Sequence, residues 1–426
     1  MVQPLQSIEH SHWLTIAIFL VTYALIAVQS GRAGYLDRTA AAFVGAVAMV
    51  LSRAVPLDQA YLAIDWNTIT FLLGIMILVA HFQVAGFFDW IVVHVSAAAR
   101  SRMNLLVLLV FTSGILSAFF VNDTICLIFT PIVLVVVERL RLPPLPYVLA
   151  VATSANIGSS MSITGNPQNV LVGVSAHISF LEFLAHLAPV ALVGLVLDIL
   201  VIAFFFRKEL VGVPLADRVP AIPVAVNHVL LAKCALAAAL VVVLWIFNFS
   251  FPLVAIAVAA LILIIGRVKS EFIHQRVDWE LLLFFASLFV VIRGFESSGA
   301  TDYLIRHFEP ALQAGGVAAQ LFGVSTVMLV LSNLVSNVPA VLLFRPLVSS
   351  FPHSHFVWLT LASMSTLAGN TTPFGSVANL IVLQQATRKF KITFWQFTRV
   401  GLVVMFATTL AAFAILVLEY HFFPLL

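Results

Sequence analysis

The amino-acid sequence predicts an all-α polytopic membrane protein made of two inverted repeats. Three observations predict this fold class. Hydrophobic residues make up 62% of the chain and charged residues only 9%, the mean hydropathy is +1.11, and several short sequence patterns recur in the same order in the two halves. Soluble domains carry about 25% charged residues. This chain has too little charge to cover a surface in water, so lipid is expected to be its main solvent.

Apolar runs long enough to cross a bilayer, which takes roughly 20 residues, define the predicted spans. About ten transmembrane helices are expected, at 13–30, 39–55, 66–86, 146–175, 184–206, 228–248, 251–267, 279–297, 357–385 and 398–420. The runs 104–138 and 317–349 are each interrupted by polar residues. Their arms have about 15 residues, or ~22 Å of helix. We therefore predict two re-entrant hairpins at these runs, although two tight spans would also fit.

The distribution of basic residues predicts the orientation. With the N-terminus outside, 17 of the 21 Lys and Arg residues fall in inner loops or at inner helix ends. The four left for the outer half are Arg53, Arg293, Arg306 and Arg345. Because inner loops normally carry the excess of positive charge, both termini are predicted to lie outside the inner (plasma) membrane.

Three pairs of sequence landmarks predict the internal repeat. Asp65-Trp66 and Asp278-Trp279 each open an apolar run, 213 residues apart. Asn122 and Asn337 end similar polar motifs 215 residues apart, and the runs that begin at Gly165 and Gly375 lie 210 apart. The predicted domains are a first repeat at 1–206, a linker at 207–227 with Pro214, Pro220 and Pro223, and a second repeat at 228–426. Five crossings and one hairpin in each half make the second repeat inverted, which is typical of secondary transporters.

Four segments place polar residues and glycine at membrane depth: the two hairpin tips, and broken helices within 146–175 and 357–385. Unwound chain survives there only where it lines a site or is buried in protein. The alternative is that these residues only hold helices together, as Ser, Thr and Asn often do. The predicted substrate- or ion-binding residues are Asn122, Asp123, Thr124, Asn156, Gly158, Thr164, Gly165, Asn166, Asn169, Ser336, Asn337, Gly369, Asn370, Thr371, Thr372, Gly375 and Asn379.

Asp123 is the only acidic residue in these four segments. A carboxylate at membrane depth is costly and marks an ion or proton pathway by default, so Asp123 is the predicted coupling residue. The alternative is a structural hydrogen bond that closes the hairpin tip. Asp198, within the span 184–206, is a weaker candidate that could pair with a neighbouring helix. We expect no basic residue in the site, which would favour a neutral substrate or a cation.

The sequence lacks the motifs of several classes of enzyme. There is no G-x-x-x-x-G-K-[ST], no H-E-x-x-H and no G-x-S-x-G, so ATP hydrolysis by that route and these kinds of hydrolase are not expected. Cys126 and Cys234 both lie in apolar runs and predict neither disulfides nor a metal site. No enzyme activity, cofactor, metal or nucleic-acid partner is predicted.

The run from Gly86 to Trp90, with His94 and Ser96 after it, resembles the arsenite permease branch of the ion transporter superfamily. So does Asn122-Asp123 followed by the run 127–132. The superfamily also includes sodium/proton antiporters and divalent-anion symporters, and the resemblance covers about 36–418. It implies that hairpins and broken helices form a moving transport part, that the first crossings form a scaffold and homodimer contact, and that motion is elevator-like.

Two departures qualify the resemblance. Dicarboxylate symporters of this superfamily carry Ser-Asn-Thr at both tips, whereas here the first tip reads Asn122-Asp123-Thr124 and the second Ser336-Asn337-Val338. The run from Gly165 to Asn169 is also similar to anion permeases of the same superfamily. The substrate is therefore less well defined than the fold.

Three functional hypotheses fit these residues. The first is proton-coupled efflux of arsenite or antimonite, which gives arsenical resistance, with Asp123 carrying the proton. The second is a sodium-coupled anion or dicarboxylate carrier, or a sodium/proton antiporter. The third, of another class, is a passive channel or the membrane subunit of a separate ATPase. The expected partners are a small inorganic substrate, a coupling proton or sodium ion, and the lipid bilayer.

Overall fold

A computed structural model describes residues 5–28, 37–212, 215, 224–387, 390 and 392–422. All regular structure in this described part is helical. Six of its helices are long and apolar enough to cross a membrane, namely Trp66–Val84, Arg102–Phe119, Phe180–Phe205, His228–Ile246, Val317–Val335 and Phe394–Phe422. The predicted class, an all-α polytopic membrane protein, is confirmed. The prolines of the predicted linker lie outside the described residues.

The first half contains eleven helices in the described residues. They are α1 (Leu5–Val28), α2 (Arg38–Leu51), α3 (Leu57–Ala63), α4 (Trp66–Val84), α5 (Phe87–Ala97), α6 (Arg102–Phe119), α7 (Asn122–Arg139), α8 (Pro144–Ser159), α9 (Pro167–Ala176), α10 (Phe180–Phe205) and α11 (Arg207–Leu210).

The second half contains ten helices in the part of the chain that the structure describes. They are α12 (His228–Ile246), α13 (Phe251–Gly266), α14 (Ser270–His274), α15 (Trp279–Ser297), α16 (Ala300–Gln313), α17 (Val317–Val335), α18 (Asn337–Val348), α19 (Ser354–Ala368), α20 (Val377–Thr387) and α21 (Phe394–Phe422). In order and approximate length, α12 to α21 follow α1 to α10.

The landmark residues of the two halves have the same local structure. Asp65 caps α4 by accepting from the backbone N–H groups of residues 67 and 68, and Asp278 caps α15 by accepting from that of Leu281. Gly86 and Gly299 precede α5 and α16 with φ of 78° and 74°, a left-handed conformation that glycine adopts without strain. The landmark positions therefore have the same local structure in both halves, while the division into two inverted repeats stays a prediction.

The halves also pack on each other in a reciprocal manner. Helix α2 packs on α15 and α13 packs on α4. Similarly, α7 contacts α20, and α18 contacts α9. Close approach of α13 to α4 depends on Gly74, because a β-carbon there would lie 2.5 Å from the backbone of Ala255. These reciprocal contacts bring both hairpins and both broken helices into one body.

The helix pairs α6–α7 and α17–α18 and the two helix breaks fall at the runs predicted as hairpins and broken helices, but the hairpin arms differ in length from the expected 15 residues. The hairpin arms α6, α7 and α17 have 18 to 19 residues, and only α18, with 12, is shorter than the expected 15. The breaks fall at 160–166, between α8 and α9, and at 369–376, between α19 and α20. Whether each hairpin re-enters on one side stays a prediction.

Five short helices, α3, α5, α11, α14 and α16, were not predicted. Their lengths, 4 to 14 residues, are below what a membrane span needs. Long apolar runs in the sequence therefore do not predict these helices. Helix α16 also mixes apolar residues with charged ones such as Arg306 and Glu309, which fits a position outside the apolar core.

Candidate substrate-binding site

The starts of four helices, α7, α9, α18 and α20, meet around one small cavity, which we call the tip cavity. Its volume is about 40 Å³, which leaves room for a ligand the size of a few water molecules. The residues that line it are Arg38, Asn122, Asp123, Pro167, Gln168, Leu281, Phe284, Ser336, Asn337, Val338, Ser376 and Val377. Because a helix N-terminus carries a partial positive charge, the four helix starts favour a ligand with negative or polar oxygen atoms.

The two hairpin tips reach the tip cavity through the same backbone feature. Val121 has φ of 31° and Ser336 has φ of 75°, values that non-glycine residues rarely adopt. This left-handed turn lets α7 and α18 begin at once, at Asn122 and Asn337. Backbone strain of this kind concentrates at ligand-binding sites.

Asp123 is the acidic residue among the described residues that line the tip cavity. It lies in the first turn of α7, and neither of its carboxylate oxygens takes part in a described hydrogen bond or ion pair. It also lines a second cavity of about 30 Å³, with Thr124, Arg276 and Asp278 among its neighbours. The alternative of a structural hydrogen bond at the tip finds no support among the described contacts.

Arg38 corrects the expectation that the site lacks a basic residue. It begins α2, where Asp37 accepts a hydrogen bond from the backbone N–H of Ala40 at 2.7 Å. The guanidinium lies 5.3 Å from the ring centroid of Phe284 on α15. Arg38 lines the tip cavity with Asp123, but no ion pair joins the two side chains in the described residues.

Asn337 has polar atoms available to a ligand. Its side chain is buried, with 8% exposed, and lines the tip cavity. The side-chain oxygen has no hydrogen-bond partner within the described part of the chain. Since buried polar atoms are nearly always paired, this oxygen points to a ligand or an ordered water.

Asn122 is used differently, because its side chain secures the tip. Its Nδ2 donates to Asn156 Oδ1 at 3.0 Å, and its Oδ1 accepts from the backbone N–H of Asp123 at 3.0 Å. Its own backbone N–H donates to the carbonyl of Gly165 at 2.9 Å. The first hairpin tip is thus fixed to the first broken helix.

Two repeat-related asparagines fasten the broken helices with the same bonds. Asn169 Nδ2 donates to the carbonyl oxygens of Ser159 at 3.0 Å and Ser162 at 2.8 Å. Asn379 Nδ2 donates to those of Gly369 at 2.8 Å and Thr372 at 2.9 Å. Each carbonyl position is shifted by 210 residues, like the asparagines themselves. These bonds satisfy carbonyls that the helix breaks leave free.

Cross-links between the broken helices are also reciprocal. Asn166 Nδ2 donates to Thr366 Oγ1 at 3.1 Å, and Ser376 Oγ donates to Asn156 Oδ1 at 3.0 Å. Asn156 is the centre of the network, since its Nδ2 reaches the side-chain oxygens of Asn370 at 2.9 Å and Asn379 at 3.0 Å. All these side chains are buried, so the network fixes the relative position of the two halves around the tip cavity.

The predicted glycines act by permitting close backbone approach. A β-carbon at Gly165 would lie 2.1 Å from the carbonyl oxygen of Ser159, and one at Gly375 would lie 2.6 Å from that of Gly369. At Gly158 the distance to the carbonyl oxygen of Gly114 on α6 would be 2.0 Å. These positions shape the breaks and the contact of α6 with α8.

Of the predicted site residues, Asn122, Asp123, Ser336 and Asn337 line the tip cavity. Thr124 lines the neighbouring cavity with Asp123. The rest support the surrounding segments: Thr164, for example, donates to the carbonyl of Ala118 at 2.9 Å, and Thr371 to that of Ala368 at 2.7 Å.

Sequence reasoning did not select Arg38, Gln168, Ser376 or Phe284, all of which line the tip cavity. Gln168 and Ser376 fall inside the predicted broken helices, so a list of every polar residue there would have included them. Arg38 was counted as an inner-loop charge, and nothing in its local sequence indicates a contact with α15.

Two features lie away from the tip cavity. Asp198 is fully buried and its Oδ2 accepts from Thr153 Oγ1 at 3.0 Å, which confirms a pairing with a neighbouring helix, α8. A larger cavity of about 630 Å³ lies farther along α15 and α18, with Arg293 and Arg345 among its lining residues.

Broken helices that enclose a polar cavity in a polytopic helical protein are typical of membrane transporters. The sequence comparisons agree. The chain belongs to the citrate transporter family (CitMHS), whose family model matches residues 23–368. This family is part of the ion transporter superfamily suggested by the sequence.

Three relatives match most of this chain. An uncharacterized transporter of Mycobacterium tuberculosis is 29% identical, over 96% of this chain and 98% of the relative. The silicon efflux transporter LSI3 of rice (Oryza sativa subsp. japonica) is 28% identical, over 86% of this chain and 90% of the relative. A putative transporter, arsB, of Dictyostelium discoideum is 23% identical, over 86% of this chain and 84% of the relative.

Proposed function

We propose that this protein is a proton-coupled secondary transporter that exports small metalloid oxyacids of the arsenite and antimonite type. The observation that carries the proposal is the tip cavity, in which amide and hydroxyl groups surround a space of about 40 Å³ beside one carboxylate, Asp123. Arsenite and antimonite are small hydroxides at neutral pH, and they offer hydroxyl groups that can both donate and accept hydrogen bonds.

The lining matches such a ligand by size and by hydrogen-bond type. Asn337 presents an unpartnered side-chain oxygen, Ser336 lies at the same tip, and the starts of α9, α18 and α20 supply N–H groups, whereas those of α7 bond within the protein. A tricarboxylate is larger than a ligand the size of a few water molecules. The rice relative, which is named a silicon efflux transporter, supports a hydroxide of a metalloid as the substrate class.

Asp123 is the proposed carrier of the exchanged proton. Its carboxylate borders the tip cavity and is free of described hydrogen bonds and ion pairs, so gain or loss of a proton breaks no contact there. Protonated Asp123 can donate to a substrate oxygen, whereas ionised Asp123 can only accept. Substrate binding and proton binding therefore influence each other at one site.

The proposed movement is elevator-like. The hairpins and broken helices would move as one body, because the network around Asn156 joins them, whereas α2, α4, α13 and α15 pack reciprocally and would form the scaffold. We further propose a homodimer in the inner membrane, with both termini outside.

A second candidate is a sodium-coupled carrier for a small carboxylate. Arg38 in the tip cavity favours it, because a guanidinium beside four helix N-termini suits an anion. The name of the family, citrate transporter, points in the same direction. In this case Asp123 would take part in binding sodium rather than a proton.

Transport by the purified protein in proteoliposomes separates these candidates. Labelled arsenite is followed under an imposed proton gradient, with and without sodium, and labelled citrate is followed in parallel. Arsenite accumulation that depends on the proton gradient and ignores sodium supports the first candidate. Sodium-dependent citrate uptake without arsenite movement replaces it with the second.

Two controls complete the design. Collapse of the gradient with an ionophore must stop accumulation, since downhill flux that persists unchanged indicates a passive channel. Empty liposomes report leakage of neutral arsenite through the lipid. Absence of both arsenite and citrate transport under every gradient would overturn both candidates, or indicate that a separate ATPase subunit is required.

A further inference from the structure

We propose that Arg38 binds the substrate directly, by donating from its guanidinium to an oxygen atom of the transported oxyacid across the tip cavity from Asp123. This inference rests on the proposed function in taking the tip cavity as the binding site. It assigns to α2, a helix outside the four polar segments, a direct part in recognition. It also defines the substrate class as an oxyacid that presents an anionic or strongly polar oxygen.

The position of Arg38 is fixed from three sides. Asp37 caps the start of α2, the ring of Phe284 lies beneath the guanidinium at 5.3 Å, and α2 packs along α15, which carries Phe284. An aromatic ring under a guanidinium holds the planar group by a cation–π interaction and leaves its N–H edges free. The described residues show no hydrogen bond or ion pair that uses those N–H groups.

Arg38 and Asp123 leave a space that a ligand can bridge. Both side chains line the tip cavity, yet within the described part of the chain they form no ion pair. An unpaired cation and an unpaired carboxylate in one small cavity are costly unless a ligand or water bonds to them. A bound oxyacid between them removes this cost, since one oxygen can accept from Arg38 while another group bonds to Asp123.

The repeat shows that this cation is specific to one side of the site. With the 213-residue offset of the first landmark, the position that corresponds to Arg38 in the second half is Phe251. With the 215-residue offset of the hairpin tips, Val338 corresponds to Asp123. The two charged residues thus make the contributions of the two halves to the tip cavity unequal. Such an asymmetric cavity suits a ligand whose charge is distributed asymmetrically.

The test compares the substrate concentration dependence of transport in three variants. In Arg38→Gln we expect KM to rise about ten- to hundredfold while the maximal rate changes little, because a charge-assisted bond to the substrate is lost. Arg38→Lys keeps the charge but not the planar fork, so its KM should lie between those of the wild type and Arg38→Gln. Arg276→Gln, which removes an exposed cation near Asp123 but outside the tip cavity, should change KM by less than about twofold.

The outcomes are distinct. Equal KM for Arg38→Gln and the wild type, a loss confined to the maximal rate, or equal effects of Arg38→Gln and Arg276→Gln would each overturn direct binding. If Arg38→Gln fails to fold, Phe284→Leu tests the same point, since loss of the ring should loosen Arg38 and raise KM by a smaller factor.

Failure of the proposed function is detected separately, in the wild type. If wild-type protein moves citrate but not arsenite, the proposed function fails, and the same variants are compared with citrate as the probe. If neither compound is transported, ligand binding is tested instead. The measurement is the thermal stabilisation of the wild type and of Arg38→Lys by arsenite, citrate or inorganic phosphate. Stabilisation of the wild type that weakens in Arg38→Lys supports the role of Arg38, and no stabilisation of the wild type overturns it.

Discussion

Asp123 differs from Asn122 and Ser376, two other polar residues of the tip cavity, in having a free side chain. Asn122 and Ser376 are held by hydrogen bonds within the network, whereas both carboxylate oxygens of Asp123 lack described partners. A group that is not needed to hold the structure can change its protonation without disturbing the fold. This separates a coupling role from a structural one.

Replacement of Asp123 by Asn should reduce accumulation driven by the proton gradient about tenfold or more. Substrate exchange without a gradient should persist. The physical reason is that the amide keeps the size and hydrogen bonding of the side chain but cannot carry a proton. Accumulation and counterflow in proteoliposomes measure the two activities. Asp198→Asn is the matched control, because it removes another buried carboxylate away from the tip cavity and should keep the response to pH. Normal accumulation by Asp123→Asn would exclude the coupling role.

The side chains of Asn169 and Asn379 are predicted to stabilise the broken helices to a similar extent. Replacement of either by Ala removes two hydrogen bonds to backbone carbonyls, which should lower the free energy of unfolding by about 2–4 kcal/mol. Chemical denaturation in detergent micelles measures this difference. Asn67→Ala, at an exposed side chain without described hydrogen bonds, serves as the control. A large effect at only one of the two asparagines would contradict the equivalence of the broken helices.

The site residues show what local sequence can reveal. Asn122, Asp123, Ser336 and Asn337 were predictable because a polar side chain inside an apolar run is costly in lipid unless it binds a ligand or pairs within the protein. Arg38 was not, because an arginine next to an apolar run normally marks an inner membrane boundary. Its role depends on the packing of α2 against α15, which no local pattern encodes.

At the scale of elements, the broken helices depend on tight backbone contacts as much as on hydrogen bonds. Helix α8 crosses α6 at Gly158 and Gly114, and the breaks fold back on themselves at Gly165 and Gly375. Close crossing at small residues is common between helices in membranes, where apolar burial gives little driving force.

Addition of a single methyl group at Gly158 should therefore separate α6 from α8. We expect Gly158→Ala to reduce the yield of folded protein and to lower transport about tenfold, because its β-carbon would meet the carbonyl oxygen of Gly114. Gly316→Ala is the matched control, since no atom lies within 4 Å of a β-carbon there. Size-exclusion chromatography and initial transport rates give the readout. Wild-type behaviour of Gly158→Ala would show that this contact can relax.

The elements were predicted unevenly for a physical reason. Long apolar runs and their interruptions predicted α4, α10, α12 and α21 and both breaks, because lipid imposes length and composition on a span. Short helices such as α5 and α16 face no such requirement. Their beginnings at Gly86 and Gly299 are set by local backbone conformation.

At the scale of the whole molecule, the corresponding order of helices in the two halves is the main feature. The reciprocal packing of α2 on α15 and α13 on α4 indicates that the halves are arranged around each other rather than side by side. The sequence predicted the repeat from three pairs of landmarks, but the packing between the halves could not be inferred from it, because apolar helix faces give no indication of their partners.

Inversion of the repeats predicts opposite exposure of the two hairpin bases. Ala98, before α6, and Ala314, before α17, are both exposed. An impermeant maleimide applied to intact cells should label Ala314→Cys and leave Ala98→Cys unlabelled until the membrane is opened. The native cysteines, Cys126 and Cys234, are buried and give a low background. Labelling of both engineered sites from the same side would disprove the inverted arrangement.

The unequal tips have an electrical consequence. Asp123 is present at the first tip, whereas the corresponding residue at the second tip is Val338, so protonation changes the charge of the moving part by one unit. Transfer of one charge through a membrane potential of 100 mV involves about 2.3 kcal/mol. The membrane voltage would therefore act differently on the protonated and deprotonated carrier, and the cell's resting potential would favour one direction of the cycle even without a pH difference.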